Sequence, residues 1–253
     1  MSTDQDWEKF AAADPYWAVL TADEFKAENL NEANRKAFFQ SGESHVAYVF
    51  STLRRFFGAP ERMGVSLDFG CGVGRLVVPL ARRCDLAIGV DISETMRTIA
   101  AANARREGLA NIEVIPSDDA MSALTHDLDL VHSVIVLQHI PPRRGYRILD
   151  ALLKRLRPGG FGYIQVTYAH EMAALPVERG NTTGSSFRFY QRVDNQILKL
   201  VEQEDNAFTM QMNHYNLNEI MCVFWQHGIR DLFSRQTFHA GCLGIEYYFH
   251  RSK

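Results

Sequence analysis

The sequence predicts an α/β fold: a mostly parallel sheet with helices ahead of it and an antiparallel hairpin at its end. Three observations carry this prediction. From Val65 onward, short apolar runs alternate with helical patterns, as βαβ units require. The first apolar run ends in a glycine-rich turn, Gly70 to Gly74, with a helical pattern behind it. The last two apolar runs are separated only by residues 239–242, a gap short enough for a hairpin at the sheet edge.

Residues 1–60 read as helices without strands. Phe25, Leu30, Ala33, Ala37 and Phe38 fall on one face of a helix over 23–39, and Val46, Val49, Phe50, Leu53 and Phe57 do the same over 44–57. Gly58-Ala59-Pro60 ends that run. Strands are expected at 65–69, 86–91, 112–115, 128–134 and 162–166, and helices at 75–83, 94–107 and 143–156, the last stopping at Pro158-Gly159-Gly160. Residues 169–213 are polar and irregular, with a helical stretch near 193–202. They read as an insertion that covers the strand ends and the substrate. A helix at 217–225 leads into strands at 229–238 and 244–251. The expected organisation is a helical extension or lid over 1–60 and a ligand-binding domain over 61–253. Within the extension, residues 40–45 are the segment expected to close over the ligand. Its aromatic residues Trp7, Phe10, Tyr16, Trp17, Phe38 and Phe39 read mostly as core contacts.

Composition narrows the function classes. Apolar residues make up 46% and charged residues 23%, ordinary for a globular core. A net charge of −3 argues against a dedicated nucleic-acid binder, which carries a basic face. Arg143, Arg144 and Arg147 read either as a local basic patch or as the solvated start of a helix. No pair among Cys71, Cys84, Cys222 and Cys242 has CxxC spacing, so no metal is expected, and reduced thiols suit a cytoplasmic protein. The first residues, MSTDQDWEKF, lack a charged-then-apolar signal pattern. No apolar run approaches the ~18 residues that span a bilayer. The expected partner is a small-molecule substrate, not a membrane and not a nucleic acid; a homodimer is compatible with the sequence.

The chemistry concentrates at the glycine turn. In VSLDFGCGVGR, Val65 to Arg75, a strand ends at Phe69, and Gly70, Gly72 and Gly74 turn the backbone with no Cβ to block a close ligand. Cys71 is a small residue suited to the same turn. A helix start behind the turn presents backbone N–H groups to the ligand. Dinucleotide folds prefer G-x-G-x-x-G; here the third glycine comes one residue early. Asp68 stands where it would repel a pyrophosphate and attract an ammonium group. Both features disfavour a nicotinamide-dependent dehydrogenase. About twenty residues on, Asp91 in IGVDIS sits where an acid accepts hydrogen bonds from both ribose hydroxyls, while Ser93 suits a helix N-cap. Asp118 or Asp119, in PSDDAM, can accept from an adenine amino group. The strand in DLDLVHSVIVLQHIPP delivers Ser133 and Val134 to the same sheet edge, with Gln138 and His139 beyond.

In this order, the glycine motif, the two acids, the LQHI segment and LRPGG (Leu156 to Gly160) resemble the class I S-adenosylmethionine (SAM)-dependent methyltransferases. The resemblance covers residues 65–168 and, by topology, the last two strands. It implies a Rossmann-like, doubly wound, seven-stranded sheet with the last strand antiparallel, and a transferase with SAM as cofactor and S-adenosylhomocysteine (SAH) as product. It maps cofactor contacts to Asp68, Gly70, Gly72, Asp91, Ile92, Asp118, Asp119 and Ser133, and extends them to Cys71, Gly74, Arg75, Met96, Val134 and Gln138. The methionine carboxylate falls to Arg75 or to the N-terminal helices. Methyl transfer is an in-line displacement that needs alignment and water exclusion, plus a base where the nucleophile carries a proton. His139, best placed by motif, Tyr168 and His170 are the base candidates, and His214, Glu171 and Tyr215 are further ones. Tyr168, His170 and Tyr215 are expected to face the substrate. LQHIPP is not the Asn- or Asp-led tetrapeptide of many amino-methylating enzymes, which favours a small acceptor methylated on oxygen or nitrogen. RNA or protein acceptors, and a non-catalytic SAM-binding scaffold, are the alternatives.

Overall fold

The computed structural model describes residues 3–170, 188–193, 196–201, 210, 212–239 and 241–252. Seven strands form one sheet in the order β3-β2-β1-β4-β5-β9-β8. They are β1 Met63–Phe69, β2 Cys84–Asp91, β3 Ile112–Pro116, β4 Leu128–Ser133, β5 Leu156–His170, β8 Ile229–His239 and β9 Cys242–Arg251. β1 through β5 pair in parallel, and β9 runs antiparallel between β5 and β8. This is the doubly wound, Rossmann-like sheet with a C-terminal hairpin that the sequence predicts. β5 is longer than expected because β4 pairs with it from Leu156 and β9 accompanies it to His170. Strand order reverses between β1 and β4, so a crevice opens at their carboxyl ends.

The helices are α1 Thr3–Ala13, α2 Pro15–Val19, α3 Glu32–Phe57, α4 Val77–Ala81, α5 Glu94–Arg106, α6 Pro142–Arg155 and α7 Leu217–Gln226. Among the described residues, no helix is long and apolar enough to cross a membrane. The N-terminal region corrects the expectation of helices at 23–39 and 44–57. A 3-10 turn occupies Asp23–Phe25, and one continuous helix begins after Asn31, whose side chain caps Asn34 N at 2.9 Å. Gly58 ends that helix at φ 67°. The helix passes unbroken through residues 40–45. Gly42 lets it lie close to the turn after β1, since a Cβ there would collide with the Arg75 carbonyl.

The segment near 193–202 is also corrected, from helix to hairpin. Arg188–Val193 (β6) pairs antiparallel with Gln196–Val201 (β7); the run Gln-Ile-Leu-Lys-Leu-Val is rich enough in β-formers to satisfy either pattern when short. Residues 171–187 and 202–209, including Glu171, lie outside the described residues.

Two apolar clusters sandwich the sheet. Val46, Val49 and Leu53 of α3 pack with Leu80 and Ala100 on one face; Ile148, Leu149 and Leu152 of α6 pack with Phe224 of α7 on the other. A third cluster joins Phe10, Tyr16 and Phe38 to Val73 and Met96. It fastens α1 and α2 across the open end of the sheet.

Candidate active site

The crevice floor is the turn after β1. Gly70 N and Cys71 N donate to Val90 O at 2.8 and 3.0 Å, which bends the chain toward β2. Gly70, Gly72 and Gly74 have φ of 76°, 52° and 95°, values that favour glycine. A Cβ on Gly70 would enter the Val136 side chain, and one on Gly72 would meet Val19 Cγ2 at 2.6 Å. Asp91, at the tip of β2, braces this turn. Its Oδ2 accepts from Gly72 N at 2.8 Å and its Oδ1 from Ser93 N at 2.9 Å. Burial pushes the Asp91 carboxyl up to about 6, against the pull of these two N–H groups and of Arg97. Ser93 also caps α5, accepting from Met96 N at 3.0 Å.

Above the floor lies a cavity of about 540 Å³, within the range of small-molecule sites. Gly70, Cys71, Gly72, Arg75, Asp91, Ile92, Met96, Val134, Gln138 and His139 line it. Burial pushes the Cys71 thiol well up, so it stays protonated and acts as a small wall residue. Arg75 is buried; its Nη1 is 3.4 Å from Ser41 Oγ and its Nε has no hydrogen-bond partner among the described residues. An under-partnered guanidinium facing a cavity suits an anionic ligand group.

Several expected contacts lie elsewhere. Asp68 is buried beneath the cavity, its Oδ1 2.8 Å from His132 Nδ1. Parallel register sets the two side by side on β1 and β4. Ser133 Oγ donates to Phe69 O at 3.1 Å and clips the same two strands. Gly74 faces Ala100 of α5. Asp118 Oδ1 accepts from Ala120 N and Ser122 N at 2.9 and 3.0 Å, closing its own turn. Asp119 is held by Arg144 at 2.8 Å and Arg147 at 3.2 Å. Of the PSDDAM segment, Ser117 reaches the cavity instead. Tyr168 sits at a register shift between β5 and β9 and does not line the cavity. His170 pairs through its backbone with Cys242, which does.

Tyr215 does not line the cavity. It is buried, its hydroxyl within reach of Leu137 O (2.8 Å) and Ile140 O (2.9 Å), and its ring fills the space that a side chain on Gly145 would need. Tyr215→Phe is therefore expected to lower stability by about 1–3 kcal/mol and leave acceptor selectivity unchanged. Thermal denaturation and competitive turnover measure the two effects. Its neighbour His214 is half-buried and does not line the cavity.

The N-terminal helices supply lining that the sequence left unassigned. Asp4, Trp7, Phe10 and residues 17–21 roof the cavity. Arg144 holds Asp4 with two bonds of 2.8 and 3.1 Å while its Nε binds Asp119. Trp7 meets His139 edge-on at 4.9 Å. Ile135, also in the wall, has φ 57°, an uncommon conformation for a β-branched residue. Its N–H donates to Gln165 Oε1 at 3.0 Å. Gln138 ties the opposite wall together: its Oε1 accepts from Thr167 Oγ1 at 2.8 Å and its carbonyl from Asn213 N at 2.6 Å. Among the described residues, no group of His, Cys, Asp and Glu side chains could hold a metal ion.

Comparison with known proteins follows this geometry. Residues 67–160 match a family model described as a methyltransferase domain. A ubiquinone biosynthesis O-methyltransferase of Hydrogenovibrio crunogenus is 26% identical over 182 residues, covering 66% of this chain and 74% of that protein. A 23S rRNA (uracil(1939)-C(5))-methyltransferase of a Marinomonas species is 33% identical over 96 residues, but the chain spans only 21% of its length. The crystal structure of a SAM-dependent methyltransferase from Clostridium acetobutylicum superposes with a TM-score of 0.65 at 14% identity, covering 98% of this chain and 99% of that one; that likeness concerns the fold. The domain match over residues 67–160 and the ordered motifs together make this chain similar to the class I SAM-dependent methyltransferases.

Proposed function

We propose that this enzyme transfers the methyl group of SAM to an oxygen or nitrogen of a small-molecule acceptor. The observation that carries the reading is the pairing of a side-chain-free glycine floor with Asp91 at its edge, inside a roofed cavity. In this reading, the carboxylate of Asp91 accepts from the ribose hydroxyls and Arg75 takes the amino-acid carboxylate. Ile92 and Ser117 flank the adenine, and residues 3–21 act as the roof that excludes water. When bound, SAM supplies a methyl carbon already activated for displacement. The chain's part is to align the acceptor, keep water out and receive any proton released. His139, in the wall beside Trp7, is the base candidate that the geometry favours.

The likeness to a ubiquinone biosynthesis O-methyltransferase, over about three quarters of that protein's length, supports a small acceptor, whereas the RNA-modifying relative matches over a fraction of its length. The test is transfer of labelled methyl from SAM into a cell extract, resolved into metabolite, RNA and protein fractions. Label in the metabolites is the expected result. Label confined to RNA or protein would move the acceptor class, and tight SAH binding with no transfer to any fraction would leave a binding scaffold.

A pH dependence follows from Asp91. Its free carboxyl titrates near 6 because burial favours the neutral form, whereas ribose hydroxyls donate best to the ionised form. Binding therefore lowers its pKa and releases a proton. SAH affinity is expected to be full above pH 6 and to fall by up to about tenfold per unit below it. The effect on the free protein has the opposite sign. A carboxyl raised above its unfolded value of ~3.9 contributes stability at low pH and loses that contribution as pH rises through 6. Calorimetric titrations at pH 5, 6 and 7.5 read the affinity.

A further inference from the structure

Among the described residues, the wall of the cavity beyond Val134 carries no uncompensated charge. From it we infer that the acceptor is a neutral, flat aromatic compound bearing a hydroxyl or ring N–H, and not an ammonium, carboxylate or phosphate compound. This rests on the cofactor reading above, which places the adenosyl group over Gly70 to Asp91 and leaves the remaining space to the acceptor.

Charge is the first argument. Among the described residues, the Lys, Arg, Asp and Glu side chains lining the cavity are Asp4, Arg75, Asp91 and Arg144. Asp91 and Arg75 belong to the cofactor half, where Asp91 is bound to the turn and Arg75 lies close to the charge of Asp68. Asp4 and Arg144 neutralise each other through two bonds, and the third face of Arg144 is taken by Asp119. An ion entering the far half would lose its water and meet no counter-charge from the described residues, at a cost of several kcal/mol.

Surface chemistry is the second. Met210, Met212, Ile135 and Trp7 give this half polarisable and aromatic walls, which favour a planar ring over an aliphatic chain. Gln138, His139 and His239 are the polar groups beside them. In the reaction, the acceptor oxygen or nitrogen bonds to the methyl carbon as the carbon–sulfur bond breaks. The acceptor's proton passes to an imidazole, and the charge lost from the sulfonium reappears there. A neutral acceptor with an acidic O–H or N–H can react with histidine as its only base.

The experiment uses the full chain and three probes that share one phenol ring: tyrosol, which is neutral, tyramine, a cation, and 4-hydroxyphenylacetate, an anion. Calorimetry with SAH comes first; absence of SAH binding would remove the cofactor reading itself. The SAH complex is then titrated with each probe. The expected result is a dissociation constant for tyrosol at least tenfold below those of both charged probes. Gln138→Glu, close in shape, adds a carboxylate to this wall and is expected to raise the tyramine-to-tyrosol affinity ratio at least tenfold. With SAH binding intact, charged probes that bind as well as tyrosol, failure of tyrosol to bind, or an unchanged ratio in Gln138→Glu would each overturn the inference and leave the cofactor reading standing.

Discussion

Asp91→Ala is expected to weaken SAH binding at least tenfold, about 1.4 kcal/mol or more. The wild-type carboxylate does two jobs at once. It holds the glycine turn through Gly72 N and Ser93 N, and in the proposed complex its remaining lone pairs accept from the sugar. Hydrogen bonds to a charged group contribute about 1.5–3 kcal/mol each, so loss of even one exceeds the tenfold threshold. Asp91→Asn keeps one acceptor oxygen without the charge and is expected to fall between the two. Trp7 and Trp17 lie in the cavity wall, so quenching of intrinsic fluorescence can follow the titration. A folded Asp91→Ala protein with native affinity would mean the sugar binds elsewhere.

His132→Leu is expected to act on stability instead. Asp68, His132 and His45 form a buried chain with steps of 2.8 and 2.9 Å, and Tyr163 stacks on the His132 ring at 4.9 Å. With the Asp68 carboxylate as acceptor of His132 Nδ1–H, His132 Nε2 is left to accept from His45. Burial, helped by His132 and Arg75, pushes the His45 imidazole down to about 2, so that ring stays neutral and donates. Among the described residues, Asp68 Oδ2 already has no hydrogen-bond partner. Leucine would take away the carboxylate's hydrogen bond in the core, at about 3–5 kcal/mol. For a domain of this size, that lowers Tm by roughly 6–20 °C. His132→Asn can still offer an N–H toward Asp68 and is expected to recover part of the loss. A Tm within about 2 °C of wild type for His132→Leu would show that Asp68 is not held as an anion by this chain.

Much of the fold was legible because strand and helix periods, caps and glycines are local signals. The turn at Gly70–Gly74, the position of Asp91 at a strand tip and the Ser93 cap needed only neighbouring residues to be read. What was illegible depends on partners far away in the chain. Asp119 reads as a free acid beside the crevice until Arg144, 25 residues on, takes it. Arg144 reads as a solvated helix start until Asp4, 140 residues away, reaches it. Asp68 reads as a ligand for an ammonium group, but strand order brings His132 against it. The same applies to Tyr215, whose hydroxyl finds carbonyls rather than a substrate. Residues 40–45 look like a break between helices because nothing local reveals that Gly42 must lie flat on the Arg75 carbonyl.

The central claim is that the crevice between β1 and β4 is built for an adenosyl amino acid. Isothermal titration of the purified chain with SAH and with NAD, run in parallel at pH 7.5, tests it most directly. The account predicts one-to-one binding of SAH and none measurable for NAD at the same concentrations. Preferential binding of NAD, or no heat with SAH, would contradict it.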